Sequence, residues 1–134
     1  MRLIINEYTC YKEQEVLSLY ESVGWIAYTR SPETLARAFS NSLLTLTARD
    51  GEKLIGLLRA VGDGETILFI QDLLVLPEYQ RKGVGSALLK EALNRYSHVR
   101  QIQLTADNTP ALDAFYRAQG LRRLSDLGCI AYSK

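Results

Sequence analysis

A chain of 134 residues suits one domain, expected over residues 1–134, with room for a core that needs no disulfide or metal staple. Its hydrophobic share of 47% and charged share of 23% are ordinary for a globular protein, and 16 Lys and Arg against 15 Asp and Glu leave a net charge of +1. That balance argues against nucleic acid or an anionic membrane surface as a partner, so any anion site has to be local.

The N-terminus, "MRLIINEYTCYKEQE", turns polar too soon for a signal peptide, and no apolar run nears the ~20 residues of a membrane span. Arg2 to Tyr8 is expected as a short strand. Tyr11–Val23 reads as a helix, because Val16, Leu19, Tyr20 and Val23 recur at spacings of three and four, and Gly24 supplies a stop. "SPET" opens a second helix running to about Asn41, with Ser31 as cap and Pro32 in the first turn. Leu43–Arg49, Lys53–Val61 and Thr66–Leu76 follow as an antiparallel meander whose turns, "ARDGEK" and "AVGDGET", each contain Asp-Gly. Pro77 ends the third strand because it cannot donate to a ladder.

Gly85–Tyr96 reads as a helix with Leu88, Leu89, Ala92, Leu93 and Tyr96 on one face. Arg100–Ala106 alternates as a strand, and Thr109–Gln119 is a helix capped by Thr109, with Pro110 in its first turn and Gly120 as stop. Leu121–Leu124 and Cys129–Ser133 are expected as closing strands around "SDLG". The order β-α-α-β-β-β-α-β-α-β-β predicts an α/β (α+β) fold, with helices flanking a mixed, mostly antiparallel sheet of six to seven strands. Cys10 and Cys129 form no CxxC pair, so a structural metal or redox motif is not expected. Two free thiols in a reducing cytoplasm is the plainer reading, and a pairing of the two stays open.

The chemistry is concentrated in "QRKGVGSA". Gly83 and Gly85 leave backbone unobstructed where a helix begins, so amides from Lys82 to Ser86 can point into one cavity. The helix N-terminus adds partial positive charge, and Arg81 and Lys82 add full charges. This is a cradle for a diphosphate, or else a tight turn with two solvated cations. A P-loop is absent, since the lysine precedes the glycines, and Leu88 stands where a dinucleotide-binding fingerprint needs its third glycine.

The wider pattern, "DLLV", "LPEYQRKGVGSALL" and then "ADNTPALDAFYRAQGL", resembles the GNAT superfamily of acyl-CoA-dependent N-acetyltransferases. Gln80-Arg81-Lys82-Gly83-Val84-Gly85 matches the family's Gln/Arg-x-x-Gly-x-Gly/Ala signature, and Asn108, Phe115, Tyr116, Gly120 and Leu121 match its second block. The resemblance implies acetyl-CoA as co-substrate and no metal. Arg81 to Ser86 would hold its pyrophosphate, Leu73, Leu74 and Val75 would pair with the pantetheine arm as an added strand, and Asn108 would contact CoA or shape the entrance to the last helix. Tyr116 matches the tyrosine that many relatives place beside the CoA sulfur as general acid.

Asp72, a carboxylate within the apolar "ILFIQDLLVL", is the candidate base; its other reading is a structural carboxylate paired with Arg59. The glutamate of histone-type members has no counterpart, Phe69 standing in its place. The acceptor would sit by the first two helices, where Trp25, Tyr28 and Phe39 offer aromatic surface. A weaker similarity to arylalkylamine and plant serotonin-type enzymes suggests an aromatic amine. The resemblance also implies a homodimer built through C-terminal strands, as in many relatives. Three functions stay open: transfer of acetyl to a small primary amine, transfer to a lysine or N-terminal amine of a protein or peptide, and a non-catalytic acyl-CoA sensor.

Overall fold

A computed structural model describes all 134 residues. The elements are β1 (Leu3–Glu7), α1 (Glu13–Ser22), α2 (Ile26–Thr29), α3 (Pro32–Ser40), β2 (Leu44–Asp50), β3 (Lys53–Gly62), β4 (Ile67–Val75), α4 (Val84–Arg95), β5 (Gln101–Leu104) and α5 (Pro110–Ala118). Short 3-10 turns stand at Pro77–Tyr79 and Leu124–Leu127. Two compact units divide the chain, Met1–Gln103 and Leu104–Lys134. No helix is long and apolar enough to cross a membrane.

In the first unit the order β1-β2-β3-β4 is antiparallel throughout, and β5 extends the sheet beyond β4. Both Asp-Gly turns close as expected, with Gly51 and Gly64 at φ +60° and +73°. Asp63 caps the second turn by accepting from the amides of Glu65, Thr66 and Ile67. Ser31 stands at the start of α3, but its hydroxyl bonds Thr34 Oγ1 at 2.8 Å and makes no capping bond.

Each sheet face has its own core. On one, Val16, Leu19, Tyr20, Leu35 and Phe39 from α1 and α3 pack on Leu54, Leu57 and Leu74. On the other lies α4, which presents buried Val84, Leu88, Leu89 and Ala92. Gly56 marks where α4 comes closest: a Cβ there would stand 3.2 Å from Val84 Cγ1, Leu88 Cδ1 and the Leu74 carbonyl oxygen.

Strand β4 changes allegiance part way along. Its register pairs Arg59 with Asp72 but Ala60 with Ile70, so Gln71 is an extra, unpaired residue. Before it, Leu68 and Ile70 lie opposite Gly62 and Ala60, on the face of Gly56 and Leu58 that meets α4. After it, Asp72 and Leu74 lie opposite Arg59 and Leu57, on the α1 face. The bulge therefore turns Asp72 away from the hydrocarbon of α4 and toward the helices that carry polar aromatic groups.

In the second unit Thr109 Oγ1 accepts from Leu112 N at 3.2 Å and Pro110 fills the first turn of α5, as its sequence predicts. The two closing strands expected at Leu121–Leu124 and Cys129–Ser133 are not formed, so the sheet has five strands and not six or seven. Ion pairs explain the first loss. Asp113 is bridged by Arg123 at 2.8 Å and by Arg117 at 3.0 Å, and Arg117 also reaches Asp126 at 3.1 Å. These fold the segment back on α5 as a turn, which Gly128 ends at φ +81°. The last residues lack a strand partner in their own unit and lie open, with Ile130 63% and Tyr132 90% exposed.

Candidate active site

Two constellations occupy the first unit. The first is the turn ahead of α4. Gln80 donates from Nε2 to the Val75 carbonyl at 3.0 Å, tying the turn to the end of β4. Arg81 is the one non-glycine residue with positive φ, +59°, and Gly83 follows at +86°. Two left-handed residues within three reverse the chain sharply, a conformation that costs a non-glycine residue of order 1 kcal/mol. The first bond into α4 runs from Ala87 N to the Gly83 carbonyl, and Gly83 offers no capping side chain, so the amides of Val84 and Gly85 precede the helical ladder. A Cβ on Gly83 would meet nothing within 4 Å. Arg81 and Lys82 are exposed, and Lys82 Nζ lies 5.6 Å from the Tyr79 ring centroid. Open backbone, a helix N-terminus and two cations together fit an anion of pyrophosphate type.

The second constellation surrounds Asp72, 1% exposed. Its Oδ2 accepts from Arg59 Nε at 2.7 Å and from the Tyr20 hydroxyl at 2.8 Å, while Oδ1 accepts from the Tyr28 hydroxyl at 2.8 Å. Arg59 is also buried; its Nη1 reaches Ser42 Oγ at 3.3 Å, and its guanidinium lies 5.6 Å from the Phe39 ring centroid. Burial, reinforced by the facing carboxylate, raises the Tyr20 phenol far above its ordinary value. Burial is also the main cause that raises Tyr28, whose oxygen accepts in addition from Gln71 Nε2 at 3.3 Å. Both phenols therefore keep their protons at neutral pH and act as donors to Asp72.

The aromatic residues divide between core and rim. Phe39 is buried in the α1 core beside Tyr8, Tyr11 and Tyr20, so it lines no pocket. Trp25 and Tyr28 are half-buried, with ring centroids 5.9 and 5.2 Å from Tyr20. Thus Trp25, Tyr28 and Asp72 come together through Tyr20. Leu73 to Val75 continue β4 from this cluster, and Leu74 is buried in the α1 core. Tyr20, Arg59 and Gln71 complete the cluster. Tyr20 falls on the apolar stripe of α1 and reads as core; only its hydroxyl hints at a second use.

In the second unit Tyr116 lies on α5, its ring 5.0 Å from that of Phe115, and burial raises its phenol above the ordinary value. Asn108 precedes the helix, with its Oδ1 accepting from Arg123 Nη2 at 3.3 Å. Cys10 and Cys129 are exposed free thiols.

The sequence model of the Acetyltransferase (GNAT) family matches residues 4–121. The chain is 30% identical over 127 residues to the uncharacterized N-acetyltransferase ycf52 of Gracilaria tenuistipitata var. liui, covering 87% of this chain and 68% of that protein. It is 32% identical over 113 residues to a ycf52-like uncharacterized N-acetyltransferase of Prochlorococcus marinus, covering 79% of this chain and 60% of that one. The chain thus spans roughly three fifths to two thirds of these curated relatives. A solved GNAT-family acetyltransferase from Streptococcus pneumoniae TIGR4 superposes with a TM-score of 0.89 at 41% identity, over 98% of this chain and 96% of that one. The chain belongs to the GNAT acetyltransferase family.

Proposed function

We propose that this protein transfers the acetyl group of acetyl-CoA to the primary amine of a small molecule, with an aromatic amine the favoured class. The turn at residues 80–86 carries the reading, because its left-handed Arg81 and Gly83 open the start of α4 to a diphosphate. In this proposal the backbone from Arg81 to Ser86 holds the pyrophosphate and Leu73–Val75 receive the pantetheine arm. Asn108 steadies the entrance to α5. Trp25 and Tyr28 receive the acceptor, and their half-buried rings suit an aromatic or alkyl stem.

The thioester supplies an activated acetyl group. An alkylammonium with a pKa of ~10.4 has no lone pair to attack it, so one proton is first shed to solvent, and a second must leave the nitrogen as the amide forms. Asp72 is the proposed acceptor of that proton, and its burial means that it works through Tyr28. As the C–N bond forms, that proton passes to Tyr28 Oη while the phenolic proton moves to Asp72 Oδ1. The C–S bond breaks, Tyr116, which burial keeps protonated at neutral pH, gives its proton to the departing thiolate, and solvent then returns a proton to Tyr116 and takes one from Asp72. A homodimer is part of the same proposal, supported by the exposed Ile130 and Tyr132 of the tail. Residence in the cytoplasm suits the free thiols.

The test is CoA-thiol release from acetyl-CoA across arylalkylamines, polyamines, aminoglycosides, amino acids and lysine peptides, with acetyl-CoA binding measured in parallel. Turnover on an arylalkylamine is expected. Turnover on lysine peptides alone would replace the small-molecule acceptor, and tight acetyl-CoA binding without any turnover would favour a sensor.

A further inference from the structure

This inference rests on the acetyl-transfer reading above. A phenol has one proton, and that of Tyr28 is committed inward to Asp72 Oδ1 at 2.8 Å. Asp72 in turn is held by Tyr20 and by Arg59, so the direction of that bond is set from beneath. Toward the outside, Tyr28 Oη can only accept. Gln71 approaches the same oxygen with its Nε2 at 3.3 Å, which leaves the other end of that amide, a carbonyl that only accepts. Gln71 is exposed, is the unpaired residue of the β4 bulge, and stands two residues ahead of Leu73. The rim beside the proposed thioester strand thus carries two acceptors whose polarity a buried ion pair enforces.

We propose that Tyr28 Oη and Gln71 Oε1 together bind the two N–H groups of a neutral primary amine, with Asp72 as the positioning residue that fixes the polarity of Tyr28. A neutral primary amine carries two N–H bonds and one lone pair. Engaging both N–H bonds leaves the lone pair as the free valence on nitrogen, available to the thioester carbonyl. A secondary amine satisfies one acceptor and sets an alkyl group against the other, which is left desolvated and unpaired. An alcohol offers a single O–H. The site therefore selects primary amines over their N-alkyl derivatives, a discrimination that general aromatic contact with Trp25 and Tyr28 would not produce.

The experiment takes the panel amine with the highest kcat/KM and its N-methyl derivative. Wild type is expected to prefer the primary amine by about tenfold or more, the effect of one lost hydrogen bond plus one unpaired acceptor. Gln71→Ala should lower kcat/KM for the primary amine by roughly five- to tenfold, and Tyr28→Phe, which also interrupts the proton route to Asp72, should lower it further, both with acetyl-CoA affinity unchanged. Gln71→Ala should change kcat/KM for the N-methyl amine much less, and Tyr28→Phe should lower it by a smaller factor than for the primary amine, so the preference falls in both. Asp72→Asn, which can donate to Tyr28 and reverse its polarity, should lower the preference as well. If that variant does not fold, the other two decide. A wild-type preference near unity, or one unaltered in both Tyr28→Phe and Gln71→Ala, overturns the paired-acceptor assignment while leaving acetyl transfer intact. Absence of turnover on every panel amine overturns the acetyl-transfer reading and this assignment with it.

Discussion

Asp72→Ala should destabilise the protein by about 4 kcal/mol, and the structure shows why the cost is that large. The Asp72–Arg59 contact is 2.7 Å long, with side-chain exposures of 1% and 6%. Removing one partner of such a pair leaves a charge without water and costs about 3–5 kcal/mol. Arg59 would keep the Ser42 hydroxyl at 3.3 Å, the neighbouring Tyr20 hydroxyl and the Phe39 ring, none of them an anion. The buried Tyr20 hydroxyl would lose its acceptor, a penalty of about 1–3 kcal/mol taken alone. The two penalties share one site and do not add, so about 4 kcal/mol is the expectation, against a total stability of about 5–15 kcal/mol. Urea unfolding at pH 7, with wild type and variant fitted to a common slope, measures it. The double variant Asp72→Leu/Arg59→Met removes both charges at once and should recover most of the loss. A single-variant cost below about 1 kcal/mol, or a double variant less stable than Asp72→Ala, would refute the claim that an uncompensated guanidinium dominates.

Gly85→Asp sets a carboxylate at the start of α4, where the anion cradle requires positive potential, and should raise the Kd for acetyl-CoA by about tenfold or more by calorimetry. An unchanged affinity would remove the cradle assignment. Tyr116→Phe should lower kcat by about a hundredfold with little change in acetyl-CoA affinity; unaltered turnover on a good acceptor would take Tyr116 out of the mechanism. Glu15 is held below its ordinary value chiefly by its hydrogen bonds from Arg49, the closer of them 2.8 Å. Its stabilising contribution is therefore complete above about pH 4.3, the unfolded value, and is lost as pH falls through the lower folded value. Glu15→Gln should flatten the acid limb of the urea midpoint against pH; an identical limb would show that Glu15 has no part in it.

Local chemistry made much of the fold legible. The Asp-Gly turns, the Thr109-Pro110 helix start and the apolar stripe of α4 depend on a few adjacent residues, and each forms as its sequence requires. The tail was less legible because its fate depends on long side chains. "LRRL" and "CIAYS" have strand-like composition, yet Arg117 and Arg123 bind Asp113 and Asp126 and make a turn of the first. The polar cluster was hidden by arithmetic. Counting back from the β3–β4 turn along the pairs Gly62–Leu68 and Ala60–Ile70 sets Arg59 near Gln71, and only the bulge brings Asp72 opposite it. A bulge leaves no reliable mark in one sequence, so Tyr20 and Tyr28 could not be joined in advance to the Asp72–Arg59 pair, which the sequence offered as one reading of Asp72 and the structure contains.

That extra residue has an evolutionary corollary. Exposed and outside the register, Gln71 can change identity without disturbing either core, and its presence leaves the pairing on both sides of it unchanged. Deleting it would restore plain alternation through β4 with Asp72 still opposite Arg59 and Leu74 still opposite Leu57, whereas deleting Leu73 would carry Leu74 into the layer under α4. At position 71 substitution and loss are both cheap for folding, whereas a single-codon deletion beyond it inverts the rest of the strand. Among descendants of this chain, drift at position 71 should appear as changes of letter or loss of the residue, with the length of strand on either side kept.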